Sequence, residues 1–184
     1  MPDLQREMED FFAEYTERWN DQEDFSSLIE MWDTDQAPYY RPMERHCEEL
    51  HVFTTWDQLK EYWSPARKEV LIAALWYGFV NIRPKLVAPD VAVVVCDAEW
   101  DIKARFGPAA SGTDPCFAVL NRKADGWKMN TYIEACTHPS MYRSVFADQE
   151  DKVRPAFRKL LADLCEANCQ GCRIPCRPEA KISA

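Results

Sequence analysis

From Leu75 to Ala135 the chain is almost wholly β-forming. Four runs follow one another: LWYGFVNIRPKLV (75–87), VAVVVCDAEWDIKARF (91–106), PCFAVLNRK (115–123) and GWKMNTYIEA (126–135). Each is rich in the branched and aromatic residues that suit a pleated, half-buried surface. Ala88-Pro89-Asp90 and Ala124-Asp125-Gly126 supply turn chemistry between neighbouring runs, the second a strong hairpin signal, while FGPAASGTDP reads as a looser connection. A meander of long antiparallel strands is the feature to which everything else in the chain must accommodate.

Helices flank this meander. Leu4, Met8, Phe11, Phe12, Tyr15 and Trp19 recur at helical spacing over Leu4 to Asn20, with Glu and Arg on the other face. A second, shorter helix fits Phe25 to Trp32 after the N-cap candidate Asp24. Residues 37–41 read as extended, and ELHVF, ending at Phe53, as a strand. In TTWDQLKEYW, Thr55 and Gln58 have the spacing of a capping box that opens a third helix. A last amphipathic helix fits about Gln149 to Cys165, with Val153, Phe157, Leu160, Leu161 and Leu164 on one side. Helices segregated from an antiparallel sheet predict an α+β domain, not a doubly wound one.

Composition narrows the function classes. The 184 residues are 47% hydrophobic and 29% charged, the balance of one soluble globular domain. No apolar run approaches the length of a membrane span, and MPDLQREMEDFFAEY lacks a signal-peptide core, so a cytoplasmic protein without a membrane partner is expected. The net charge of −9, with only RPKL and VRPAFRK as basic stretches, argues against nucleic acid. Five glycines and no glycine-rich fingerprint leave little for cradling a nucleotide phosphate. Eight cysteines in such a chain predict thiols or metal ligands rather than disulfides. Cys47, Cys96, Cys116 and Cys136 stand singly and read as small buried hydrophobes. In LCEANCQGCRIPCRP, Cys165, Cys169, Cys172 and Cys176 fall on one helical stripe that Gly171 and Pro175 interrupt. The four thiols either surround a metal at tetrahedral geometry or are simply buried. The reading preferred is no metal and no cofactor.

Several features together resemble the nuclear transport factor 2-like, or SnoaL-like, superfamily. They are the opening helix with FFAEYTERWN, SLIEMW followed by APYY, the helix TTWDQLKEYW, the strand pair ending in AEWDIK, and the closing CFAVLNRKADGWKMNTYIEA. The resemblance covers Leu4 to Tyr142 and leaves the cysteine-rich tail outside. It implies a cone, a strongly curved antiparallel sheet wrapped around helices with a deep apolar pocket. It divides the chain into a cone over residues 1–146 and a C-terminal helix and tail over 147–184. Such proteins include non-catalytic scaffold and transport modules, and isomerases, dehydratases, hydrolases and lyases that need no cofactor. A subset of similar texture acts on phenolic compounds, including lignin-derived diaryl dimers that lose formaldehyde. A lyase on a small aromatic substrate, assembled as a homodimer or homotrimer, is the expectation; a ligand-binding or dimerisation module, or an isomerase or hydrolase acting on a polyketide- or steroid-like substrate, is the alternative.

Such chemistry needs an apolar chamber and a few polar groups aimed inward. Aromatic residues make up 12% of the chain, with Tyr15, Trp19, Tyr39, Tyr40, Trp76, Phe79 and Tyr132 in elements that would line a cone. Along the final strand, alternation separates Trp127, Met129, Thr131 and Ile133 from Lys128, Asn130, Tyr132 and Glu134. Facing inward, Asn130, Tyr132 and Glu134 form a ladder of amide, phenol and carboxylate; facing outward, they are surface residues. Asp101 alternates with Asp97, Glu99 and Lys103, either as a solvated face or, by the resemblance, as a catalytic carboxylate whose pKa burial would raise. His51 and His46 follow the segment that would cap the mouth and read as structural or as acid–base residues; His138 reads as a turn residue. Arg41 suits an anion such as a phenolate. The candidate catalytic set is thus His51, Asp101, Tyr132, Glu134 and His46, and the substrate-binding set Tyr39, Tyr40, Arg41, Trp76, Asn130 and Trp19.

Overall fold

The computed structural model describes residues 3–21, 25–42, 52–64, 72–105, 109–135 and 155–168. Helix α1 spans Leu4–Trp19, and the Asp3 side chain caps it by accepting from the Gln5 N–H at 3.1 Å. Its Met8, Phe11, Phe12, Tyr15 and Trp19 are all buried, as their spacing predicts. Each such side chain removed from water contributes on the order of 2 kcal/mol. The second segment forms a 3-10 helix, Ser26–Met31, rather than an α-helix. It works as a short connector, because Asp33 N–H then donates to Met129 O at 2.8 Å and ties the chain to the sheet. Helix α2, Trp56–Tyr62, has the expected capping box, with Thr55 and Gln58 satisfying each other's backbone N–H groups.

Five strands follow the order β1-β5-β4-β3-β2. They are β1 Tyr39–Arg41, β2 Ile72–Ala88, β3 Val91–Ala104, β4 Ala109–Lys123 and β5 Gly126–Glu134. Strands β2 to β5 form the expected antiparallel meander. The short β1 runs parallel to β5, with Tyr40 opposite Tyr132, so the sheet is mixed rather than purely antiparallel. FGPAASGTDP is not a loose connection either. From Ala109 it is strand, paired with β3 as far as Ala109 opposite Lys103.

The inner face of the sheet carries Leu75, Tyr77, Val94, Cys96, Trp100, Cys116, Leu120, Met129 and Tyr132, all buried against α1 and the aromatic connectors. Two bulges bend it. In β2 the register slips between Val80 and Arg83, where Asn81 takes φ 54°. In β5 Met129 and Thr131 pair with adjacent β4 residues, which leaves Asn130 as the extra residue. Helix α3, Pro155–Asn168, covers part of the opposite face, burying Phe157 against Ala74 and Ala109. No helix among the described residues is long and apolar enough to cross a membrane.

Candidate active site

The buried polar centre of the inner face is built by side chains of β5, β4 and β2, which the curvature of the sheet brings together across β3. Glu134, at the end of β5, is 3% exposed, and one of its carboxylate oxygens, Oε1, accepts two phenols. Tyr132 donates to it at 2.9 Å, and Tyr77 from β2 also donates to it. The two phenol oxygens are themselves 3.4 Å apart. Cys116, opposite Glu134 on β4, brings its sulfur within 3.2 Å of the Tyr132 oxygen. Burial and the negative charge of Glu134 push the Tyr77 and Tyr132 phenols well above their ordinary range. Both are therefore proton donors at neutral pH. The Cys116 thiol is pushed up as well, by its contact with Cys96, by burial and by Glu134, so it stays protonated and is no nucleophile.

Backbone clamps fix this cluster. The Asn20 side chain, just past α1, donates to the Tyr77 carbonyl and accepts from the Tyr77 N–H, each at 2.7 Å, as a neighbouring strand would. Arg41 donates to the Glu134 carbonyl at 2.7 Å and locks β1 beside β5. Aromatic rings surround the phenols: Tyr40 stacks on Tyr132 at 5.7 Å, Trp19 on Tyr77 at 5.2 Å, and Tyr15 meets Tyr132 edge-on at 6.2 Å. Further along β4, Asp114 is buried, accepts from the Trp100 indole at 2.6 Å, and has its carboxyl pKa raised by burial. It is a second inward-facing carboxylate.

Of the residues singled out from sequence, Tyr132, Glu134, Tyr40, Trp19 and Arg41 are brought together here. Others are not. Asn130 is the bulge residue, and its side chain bonds Gln36 at an exposed position rather than continuing the ladder. Tyr39 is 51% exposed. Asp101 is fully buried but pairs with Trp76 on β2 and Ser111 on β4, one residue out of phase with the inward Trp100, and so lies on the face opposite Glu134. Trp76 shares that opposite face and packs with Ala74, Ala109 and Phe157. His46 and His51 lie outside the described residues, as do Cys169, Cys172 and Cys176, while Cys165 falls within α3. Tyr77, Asp114 and Asn20 are additions. Alternation from Phe79 already contained Tyr77 and excluded Trp76, so the first of these was legible.

No protein-family model matches the chain, and no curated protein matches it in sequence. Solved structures do match. A candidate scytalone dehydratase from Novosphingobium aromaticivorans aligns with TM-score 0.59 and 15% identity, over 72% of this chain and 83% of that one. A candidate dehydratase of the nuclear transport factor 2-like family from Streptomyces avermitilis aligns with TM-score 0.57 and 13% identity, over 73% and 96%. The association domain of the C. elegans kinase CaMKII aligns with TM-score 0.52 and 14% identity, over 71% and 96%. The fold is nuclear transport factor 2-like, and its neighbours include both dehydratases and an assembly domain.

Proposed function

We propose that the protein is a lyase that acts on a small phenolic substrate by acid–base chemistry and needs no cofactor. The observation that carries this reading is the buried Glu134 carboxylate with two phenol donors on one oxygen. An acid and a base 2.9 Å apart suit a substrate that must gain and lose a proton at neighbouring hydroxyls. A diaryl 1,3-diol with an ionised para-phenol is such a substrate. Tyr132 protonates the benzylic hydroxyl, which leaves as water while the phenolate pushes electrons inward to give a quinone methide. Glu134 takes the proton of the adjacent hydroxymethyl O–H, and the C–C bond breaks to release formaldehyde. The bonding pair returns through the ring and leaves an alkene and a phenolate. The proton gained by Glu134 then passes to Tyr132 along their hydrogen bond. His51 and His46 are proposed as further acid–base residues.

Incubation with a lignin-type diarylpropane diol, with formaldehyde and stilbene quantified, tests this. Glu134→Gln is expected to cut turnover by about 10²- to 10⁴-fold while the fold persists. Wild-type protein that yields neither product, or a Gln variant of unchanged rate, would sink it.

A second reading, as an assembly module, has its own support. Val95 and Phe117 lie opposite each other on the outer face and are 45% and 39% exposed, with Ile133 next in register. A self-complementary sheet face of this kind suits a homodimer. Sedimentation should show a dimer that Phe117→Glu dissociates; a wild-type monomer at micromolar concentration rules out the interface.

A further inference from the structure

Two nucleophilic side chains take no part in the proposed chemistry. Cys96 on β3 and Cys116 on β4 are direct partners in the strand register. Both are buried, at 1% and 2% exposure, while their chain neighbours Val95 and Phe117 emerge on the other face. The two thiols therefore stand side by side on the inner face, and both are free. Directly opposed residues of antiparallel strands have Cα atoms about 4.5 or 5.5 Å apart, and a disulfide accepts roughly 4.4–6.8 Å. The strands thus already hold the two cysteines at a separation a disulfide tolerates, with no change of register. The pair also touches the acid–base centre. The Cys116 thiol donates to the Asp114 carbonyl, with its sulfur at 3.3 Å, and that sulfur meets the Tyr132 oxygen at 3.2 Å.

We infer that Cys96 and Cys116 are a site of cross-strand disulfide formation, joined while the chain folds and shielded thereafter. The closed fold keeps both thiols from solvent and Cys116 protonated, so an oxidant meets no thiolate there. Before β3 and β4 pair, each thiol has the reactivity of an ordinary cysteine. A small disulfide such as glutathione disulfide then serves as oxidant. One cysteine thiolate attacks it and releases one glutathione, and the second cysteine displaces the other glutathione from the mixed disulfide. One S–S bond breaks and one forms; two electrons pass to glutathione, and the two cysteine protons end on its two thiols. Joined to Cys96, the Cys116 sulfur no longer offers a hydrogen to the Asp114 carbonyl or to the Tyr132 oxygen. The redox state at folding is thereby written into the packing beside Glu134. Only the consequence for turnover rests on the lyase reading; the bond itself does not.

Refolding from urea with glutathione disulfide, against refolding with dithiothreitol, tests this. Cleavage after Lys103 and Arg105 separates the two cysteines, so a linked pair of peptides identifies the bond by mass. After oxidative refolding most of the chain should carry that link, whereas folded, reduced protein given the same reagent should gain about tenfold less. The link should resist dithiothreitol until urea is added, and should raise the urea midpoint. Cys96→Ala should show neither effect. If refolding fails, synthesis in an oxidising against a reducing cell compartment supplies the same two conditions. Oxidised, folded protein in which Cys96 and Cys116 stay unlinked overturns the site, and a link that forms equally fast in the closed fold overturns the shielding. The linked form should release formaldehyde about tenfold more slowly than the reduced one, as a displaced proton donor would cause. Equal release from both forms overturns the coupling to Tyr132; release from neither refutes the lyase reading and leaves the disulfide site intact.

Discussion

Gly112 shows how far a single residue can be misread from sequence. It sits opposite Trp100 in the β3–β4 register, and the indole lies across it. A Cβ built there would fall 2.3 Å from a ring carbon of Trp100. The ring has little room to yield, because it is buried and tied to Asp114 by a 2.6 Å bond. Gly112→Ala should therefore destabilise the fold by about 1–3 kcal/mol, the usual cost of overpacking. Thermal melts would show this as a Tm several degrees lower, and an unchanged Tm would mean that the indole moves freely. From sequence alone Gly, Pro, Ser and Asp in FGPAASGTDP signal a turn, because their other role, making room for a large ring on the next strand, depends on register. Tyr132 and Glu134 were legible for the opposite reason: a carboxylate two residues from a tyrosine on one strand shares its face whatever the neighbours do. Asp101 misled because the resemblance suggested a catalytic carboxylate on a central strand, whereas its phase relative to Trp100 places it on the other side of the sheet.

At the level of elements, helices α1 and α2 and the β2–β5 meander could be read in advance, since periodicity, capping and turn chemistry are local, whereas the parallel β1 could not. The bulges could not, because each is a mismatch between two strands. Asn130 is the clearest case. Strict alternation would set Met129 against Tyr132, yet both are fully buried, and the extra residue between them reconciles the two. Deleting Asn130 leaves Met129 and Tyr132 two residues apart and still on one face, so the pairing becomes regular and only the local bend is lost. The cost should therefore stay below the roughly 2–5 kcal/mol of turning a buried large side chain outward. Asn130→Ala keeps the residue count and gives up an exposed 3.2 Å bond to Gln36 and a 3.1 Å bond accepted from the Thr131 hydroxyl, so its stability should stay within about 1 kcal/mol of wild type. Chemical denaturation of both variants separates the geometric role from the chemical one; equal losses would mean that the side chain, not the bulge, matters.

Considered as a whole, the molecule gathers ionisable phenols into one water-poor layer. Tyr15, Tyr77 and Tyr132 are each buried, and burial raises the pKa of all three, with Glu134 adding to each shift. Unfolded, the same side chains would ionise near their ordinary value of about 10. Below that pH both states hold the protons and the phenols make no pH-dependent difference. Above it the unfolded chain gives up protons that the folded one retains, so stability falls as pH rises past 10 toward the folded values. Two consequences can be measured on one sample. In tyrosinate absorbance, Tyr15, Tyr77 and Tyr132 should appear late, together with the loss of tertiary circular dichroism. Urea midpoints should be flat through neutral pH as far as these groups are concerned and drop steeply above 10. In Tyr77→Phe the alkaline drop should become shallower, because one of the three protons no longer distinguishes the states. An early, gradual titration of all the tyrosines with the fold intact would show that water reaches the layer, and with it that Glu134 lacks the low-dielectric setting its proposed role requires.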